Sequence, residues 1–212
     1  MATPSYAAAS SVAPTVGFDL DMTLVDTRPG IHATYRALSA ETGTYIDADL
    51  AVSRLGPPLE QELAHWFPDE AIKETADRYR AIYPETAIAT SKALPGAQEA
   101  LAAVRERGGR AIVVTAKSQP LAELHLTHLG LEPDALIGWL WAEAKSVALR
   151  EHGATVYVGD HTADVRGAHT AGALAVSVPT GPCSPAELRA EGADVLLDDL
   201  TGFPQWFAGY TG

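Results

Sequence analysis

The sequence has a single cysteine, Cys183, among its 212 residues. One thiol cannot form a disulfide within the chain, so the fold must be stabilised by its core rather than by covalent cross-links. Nothing in the cysteine content points to export, and we therefore expect a cytoplasmic location.

Long apolar runs are also missing. No stretch approaches the roughly 20 residues that a helix needs to cross a bilayer. The first residues, MATPSYAAASSVAPT, contain no basic segment and no sustained apolar core, which argues against a secretory signal. We expect residues 1–14 to form a mobile tail, and we expect no membrane partner.

Positive charge is scarce. The chain has 15 Lys and Arg against 27 Asp and Glu, a formal net charge of −12. Such an acidic surface argues against nucleic acid and anionic membranes as main partners. If the substrate is itself an anion, the binding site must supply its own local positive charge.

The chain does contain short apolar runs that alternate with helical patterns. The runs are Val16–Leu20, Ala111–Thr115, Val156–Val158, Ala173–Val178 and Asp194–Leu197. Fully apolar runs of this length are typical of parallel strands buried on both faces. The stretch Gly96–Arg107 has helical periodicity and is followed by Gly108, which favours a helix end. The alternation predicts an α/β fold with a Rossmann-like three-layer core around a parallel sheet.

One region breaks this alternation. Between about Gly30 and Ala89 there are helical patterns and no convincing strand, and Pro-Gly pairs mark both borders. We predict a small α-helical cap domain, residues 30–89, inserted after the first strand. The core would then comprise residues 15–29 and 90–212. The alternative is that these helices simply cover the sheet.

Polar side chains follow the predicted strands at their carboxyl ends, where ligands bind in parallel α/β sheets. Asp19 and Asp21 follow the first strand, and as residues i and i+2 they should face one reacting centre. The other polar or strand-end positions are Thr115, Ala116 and Lys117 after the second strand, Asp160 and Asp164 after a later one, and Lys145 before it.

Clustered carboxylates at neutral pH need a cation. The candidate ligands are all oxygens, without paired Cys or Cys/His spacing, so a hard cation is indicated and Mg²⁺ fits best. A lysine and a hydroxyl at the same edge suit the oxygens of a phosphate group. A carboxylate can attack phosphorus, and a second acid can protonate the leaving oxygen and then activate water.

The ordered stretches DLDMT at 19–23, VVTAK at 113–117, Lys145, and VGDHTADVRGAHTAG at 158–172 resemble the four motifs of the haloacid dehalogenase superfamily. The cap position between the first two motifs also matches. The C-terminal segment VPTGPCSPAELRAEGADVLLDDL resembles phosphoglycolate-phosphatase-like members.

This resemblance implies a role for each matching residue. Asp19 would be the nucleophile and a Mg²⁺ ligand. Asp21 would be the general acid/base, with its backbone carbonyl on the metal. Thr115, Ala116 and Lys145 would bind the phosphoryl group. Asp160 would be a direct metal ligand and Asp164 would support the metal.

Several positions depart from the family pattern. Met22 stands where glycine is common, His161 where a small hydroxyl residue is frequent, and Trp139 and Trp141 where smaller or acidic residues are expected. Met22 and Arg54 are candidate specificity residues. Arg54 lies in the predicted cap and could reach a second anionic group of the substrate. A solvated cap arginine is the alternative.

The sequence therefore predicts a Mg²⁺-dependent phosphatase for a small phosphorylated metabolite, as a monomer or homodimer. A phosphomutase of the β-phosphoglucomutase kind and a catalytically weak regulatory or binding relative are the alternatives. A phospho-accepting receiver domain is disfavoured by the predicted cap and by the early position of the acidic pair.

Overall fold

The computed structural model describes residues 13–211. Its strands are β1 (Thr15–Phe18), β2 (Val25–Asp26), β3 (Lys92–Ala93), β4 (Arg110–Val114), β5 (Ala135–Ile137), β6 (Ala154–Gly159), β7 (Leu174–Ser177) and β8 (Val195–Leu196). Its α-helices are α1 (Arg28–Thr42), α2 (Ala48–Ser53), α3 (Leu59–Leu63), α4 (Asp69–Ala87), α5 (Ala97–Glu106), α6 (Gln119–Leu129), α7 (Lys145–Glu151), α8 (Thr162–Ala171), α9 (Pro185–Glu191) and α10 (Phe203–Ala208). Nearly all of the predicted N-terminal tail lies outside the described residues.

Six strands form one sheet in the order β5-β4-β1-β6-β7-β8, and every neighbouring pair is parallel. Alternate residues of the central strands enter different apolar clusters. Val113 packs with Phe18 and Phe203 on one face, whereas Ile112 and Tyr157 pack on the other. The sheet is thus covered by helices on both faces, and the predicted three-layer α/β fold is confirmed.

Each of the five predicted runs overlaps a strand, but the boundaries differ. β1 ends at Phe18, so Asp19 and Asp21 lie in the following loop and strand alternation does not orient them. The three-residue strand β5 and the antiparallel pair β2–β3 were not predicted. β2 and β3 pair the two chain segments on either side of helices α1–α4, and so bring the ends of that helical region together.

Helices α1–α4 fill the region where no strand was predicted, and we call them the cap helices. Their buried apolar residues form a cluster of their own, to which, among the residues that the structure describes, only Leu121 of α6 contributes from outside the region. This packing supports a helical cap rather than helices that cover the sheet. The division at residues 30–89 stays a prediction.

Within the described chain, every helix is too short or too polar to cross a bilayer.

Candidate active site

Three carboxylates meet at the carboxyl edge of the sheet. Asp19 follows β1, Asp160 follows β6, and Asp164 lies in the first turn of α8. Each offers one oxygen atom, and these three atoms lie within 4.8 Å of one another. All three residues are buried, at 8%, 3% and 2% exposure respectively. We call them the acidic cluster.

Lys145 is the cation beside this cluster. Its Nζ atom lies 2.7 Å from Oδ1 of Asp164 and 3.2 Å from Oδ2 of Asp19. It also donates to the hydroxyl of Tyr157 at 2.8 Å, and that hydroxyl donates to the carbonyl oxygen of Val114. Lys145 is fully buried; burial opposes its charge, but Asp164 and Asp19 together raise the pKa of the ammonium group.

One ammonium group does not balance three buried carboxylates. Burial raises the pKa of Asp19 to about 7; Lys145 lowers it, and Asp164 and Asp21 raise it further. Burial, Asp164 and Asp19 likewise raise the pKa of Asp160 well above its ordinary value, although Thr23 donates a hydrogen bond to it at 2.9 Å. A buried, all-oxygen set with excess negative charge fits a hard divalent cation such as Mg²⁺.

The side chain of Asp21 belongs to a different group. Its Oδ1 atom accepts a hydrogen bond from Thr27 at 2.6 Å and lies 3.1 Å from Nζ of Lys117. Burial works to raise the pKa of Asp21, but Lys117 and Thr27 hold it below its ordinary value. The structure therefore keeps this side chain out of the acidic cluster.

Lys117 was noted in the sequence but given no role. Its Nζ atom also donates to the Tyr83 hydroxyl at 2.9 Å, and that hydroxyl lies 2.9 Å from Nε2 of His125. The signal for Lys117 was its position two residues after Thr115. Tyr83 and Tyr157 carry no local sequence signal, because they reach the site from distant elements.

The remaining predicted site residues lie close to these two groups. Thr115 and Ala116 follow β4 and line the cavity described below. Asp164 also accepts from the backbone N–H of His161 at 3.1 Å, and so it caps the start of α8 while it holds Lys145. Asp164 therefore contacts both the first turn of α8 and the Lys145 ammonium group.

A cavity of about 290 Å³ lies between the cap helices and the sheet edge, and Asp19, Asp21 and Asp160 line its floor. Two contacts join its upper wall to the core. The Arg80 guanidinium lies 4.7 Å from the centre of the Trp139 ring. The backbone at Gly56, with φ of +135°, passes so close to His161 and Trp141 that a Cβ atom there would lie 2.8 Å from the His161 ring.

The two candidate specificity residues occupy different places. Met22 is buried, lines the cavity and has a φ of 59°, a backbone conformation that favours glycine. Arg54 pairs with Glu62 at 2.5 Å, and its guanidinium lies 5.9 Å from the Trp66 ring centre. Arg54 is not among the cavity-lining residues of the described chain, so the structure does not bring it to the site.

Two models of protein families match the chain. Residues 16–169 match the family model described as haloacid dehalogenase-like hydrolase, and residues 138–203 match a second model for HAD-hydrolase-like proteins. The first match covers well over half of the chain.

Two curated relatives are similar in sequence. The chain is 32% identical to "Probable phosphatase IndB" of Dickeya dadantii over 89% of this chain and 90% of that protein. It is 34% identical to "Tyrosine-protein kinase PtkA" of Mycobacterium tuberculosis over 54% of this chain. The chain spans only 40% of the length of PtkA.

A solved structure shares the fold. The chain superposes on the crystal structure of a predicted phosphoglycolate phosphatase from Haemophilus somnus with a TM-score of 0.76 at 20% sequence identity. The match covers 94% of this chain and 100% of that chain. It shows that the two chains share one fold.

Proposed function

Because the chain belongs to the haloacid dehalogenase-like hydrolases, we propose that it is a Mg²⁺-dependent phosphatase of a small phosphorylated metabolite that works through an aspartyl-phosphate on Asp19. The observation that carries this proposal is the position of Asp19. Its carboxylate lies at the cavity floor, beside Lys145 and within the acidic cluster.

Asp19 is held for attack by its neighbours. Its Oδ1 atom accepts from the backbone N–H of Leu20 at 2.8 Å, while Oδ2 faces Lys145 at 3.2 Å. In the first step a carboxylate oxygen forms a bond to phosphorus, and the bond from phosphorus to the ester oxygen breaks. Lys145 and the backbone amides after β4, beside Thr115, offset charge on the phosphoryl oxygens.

Asp21 lines the same cavity, which supports a role in proton transfer. In its protonated form it would donate a proton to the leaving alcohol, and the carboxylate this leaves would accept a proton from the water that hydrolyses the aspartyl-phosphate. Lys117 and Thr27 favour its ionised form, which is the form needed in the second step.

Asp19, Asp160 and the backbone carbonyl of Asp21 would hold Mg²⁺, with Asp164 in support. When bound, the ion supplies the positive charge that the acidic cluster lacks and stabilises negative charge on the phosphoryl group.

The alternatives have less support. A phosphomutase must bind a second phosphoryl group, and the arginine of the cap wall, Arg80, is already paired with Glu60 at 2.6 Å. A catalytically weak relative is disfavoured because the acidic cluster and Lys145 are intact. The cytoplasmic location, and the state as monomer or homodimer, stay predictions.

Phosphate release from a panel of phosphorylated metabolites tests the proposal. The wild-type protein is assayed with Mg²⁺ and with EDTA, beside Asp19→Asn. We expect turnover that needs Mg²⁺ and falls at least about 1000-fold in the variant, as for loss of a nucleophile. Mg²⁺-independent turnover, or an Asn variant that retains activity, would contradict the mechanism. No release from any compound by the folded protein would contradict the phosphatase function.

A further inference from the structure

We propose that the substrate carries its phosphate on an uncharged, ring-bearing alcohol, as in an aryl or arylalkyl ester, rather than on an alcohol with a second acidic group. This inference rests on the proposed function and concerns the part of the substrate that faces the cap helices.

The cavity wall contributed by the cap helices is aromatic and aliphatic. Tyr35, Tyr79 and Tyr83 form a row, with ring centres 4.9 Å and 5.6 Å apart in successive pairs. Each of the three is at most 5% exposed. Leu55 and Leu59 line the same wall. Leu55 and Leu59 are partly exposed, unlike the tyrosines behind them, and burying a flat, apolar group against these leucines gains free energy.

The positive charges that line the cavity are already engaged. Lys117 lies 3.1 Å from Asp21 and donates to Tyr83. Arg80 pairs with Glu60 at 2.6 Å and lies over Trp139. Among the described cavity-lining residues, these two are the Lys and Arg side chains. A second carboxylate or phosphate on the substrate would therefore have to break an existing ion pair to find a partner.

A leaving group that carries a second carboxylate or phosphate would be unfavourable in this cavity. Burying a charged group without a compensating partner is unfavourable by several kcal/mol, whereas a ring of the same size gains from burial. Arg54, the residue that the sequence offered for a second anion, is committed to Glu62 instead. The wall thus opposes small acidic alcohols even though the fold resembles that of phosphoglycolate phosphatases.

The enclosure limits the size of the ring. A volume of about 290 Å³ is at the lower end for ligand pockets, and the catalytic floor must share it with the phosphoryl group. The contacts at Gly56 and Trp139 border the upper rim of this space. One ring, or two fused rings, is the leaving group that this cavity fits.

Ligand binding to the Asp19→Asn variant tests this inference independently of catalysis. With Mg²⁺ present, we would measure the dissociation constants of phenyl phosphate and phosphoglycolate by calorimetry, using the full chain. We expect phenyl phosphate to bind at least about 10-fold more tightly, the scale on which apolar pockets discriminate. The same order is expected for kcat/KM in the wild-type protein.

A charge placed in the cavity wall provides the matched test. Leu59→Arg adds a cation to the wall, and Leu50→Arg adds one on α2, where Leu50 is 43% exposed and does not line the cavity. We expect Leu59→Arg to lower the phenyl phosphate preference by about 10-fold. Leu50→Arg should leave the preference unchanged.

Each outcome decides the question. Tighter binding of phosphoglycolate, or equal binding of both compounds, would overturn the inference, as would an absence of binding by either. If phenyl phosphate binds preferentially but the wild-type protein does not hydrolyse it or any other phosphate ester, the inference about the cavity stands and the proposed phosphatase function fails.

Discussion

The Nζ atom of Lys117 lies 3.1 Å from Oδ1 of Asp21, and it also lies 2.9 Å from the hydroxyl oxygen of Tyr83 on helix α4. This lysine therefore joins the proposed general acid/base in the core to the cap helices. Its side chain is only 8% exposed, so the ion pair is largely shielded from water. A residue with no assigned role in the sequence thus links the site to the cap.

Removing the Lys117 charge should destabilise the fold. Lys117→Met leaves the Asp21 carboxylate largely buried without its cation, and we expect a loss of about 3 kcal/mol in the free energy of unfolding. Urea denaturation at pH 7 measures it. Tyr83→Phe is the comparison: it removes one hydroxyl but keeps the ion pair, and should cost about 1 kcal/mol. Equal losses in the two variants would show that the ion pair is not the dominant contact.

Mg²⁺ should stabilise the folded protein, because the acidic cluster exists only in the folded state. At a Mg²⁺ concentration 100 times its dissociation constant, the free energy of unfolding should increase by about 2.7 kcal/mol, which is measured as a rise in Tm. Asp160→Asn removes one ligand and should greatly reduce the rise. Asp69→Asn changes an exposed acid at the start of α4 and should leave it unchanged. A rise of equal size in all three proteins would place the ion elsewhere.

Without divalent metal, the contribution of Asp19 to the free energy of unfolding should fall as pH rises. Burial raises the pKa of Asp19 to about 7 in the folded state, against an ordinary value of 3.8. The folded state then binds more protons than the unfolded state between these values. The stabilising contribution of Asp19 is complete below pH 4 and is lost as the pH rises through 7.

Urea denaturation in EDTA across pH 4–8 measures this dependence. The Asp19→Asn variant has no group that titrates at this position. The slope of its free energy of unfolding against pH should therefore be less negative than that of the wild-type protein. Asp160 should still contribute a negative slope in this variant, since the pKa of Asp160 is also raised. A variant with the same slope as the wild-type protein would show that Asp19 titrates at its ordinary pKa.

Trp139 combines a strained backbone with a contact to the cap. Its φ is 65°, and its ring lies 4.7 Å below the Arg80 guanidinium. Trp139→Ala and Trp139→Gly both remove the ring, but only glycine relieves the positive φ. We expect the glycine variant to be more stable than the alanine variant by about 1 kcal/mol.

The two Trp139 variants should share one effect that is independent of the backbone. Both lose the Arg80 contact, so amide hydrogen exchange in helices α3 and α4 should rise by a similar factor in each. Unchanged exchange in both variants would show that the Arg80–Trp139 contact does not hold the cap helices over the site.

The architecture of the core followed from local patterns. Short runs such as Ala111–Thr115 are apolar throughout because their strands are buried on both faces, and parallel pairing brings their carboxyl ends to one edge. Asp19 and Asp160 could be placed together on that ground alone. Strand β5 was missed because three residues are too few to show a period, and β2–β3 because two-residue strands carry no pattern.

The partners of the charged groups were decided only by the tertiary structure. The pairing of Lys117 with Asp21, and of Arg54 with Glu62, depends on how the loops and the cap helices pack. Tyr157 contacts Lys145 of α7 from strand β6, and Tyr83 contacts Lys117 from helix α4. Composition and periodicity report which face of an element is buried. They do not report which distant side chain meets it, because that depends on the packing of whole elements.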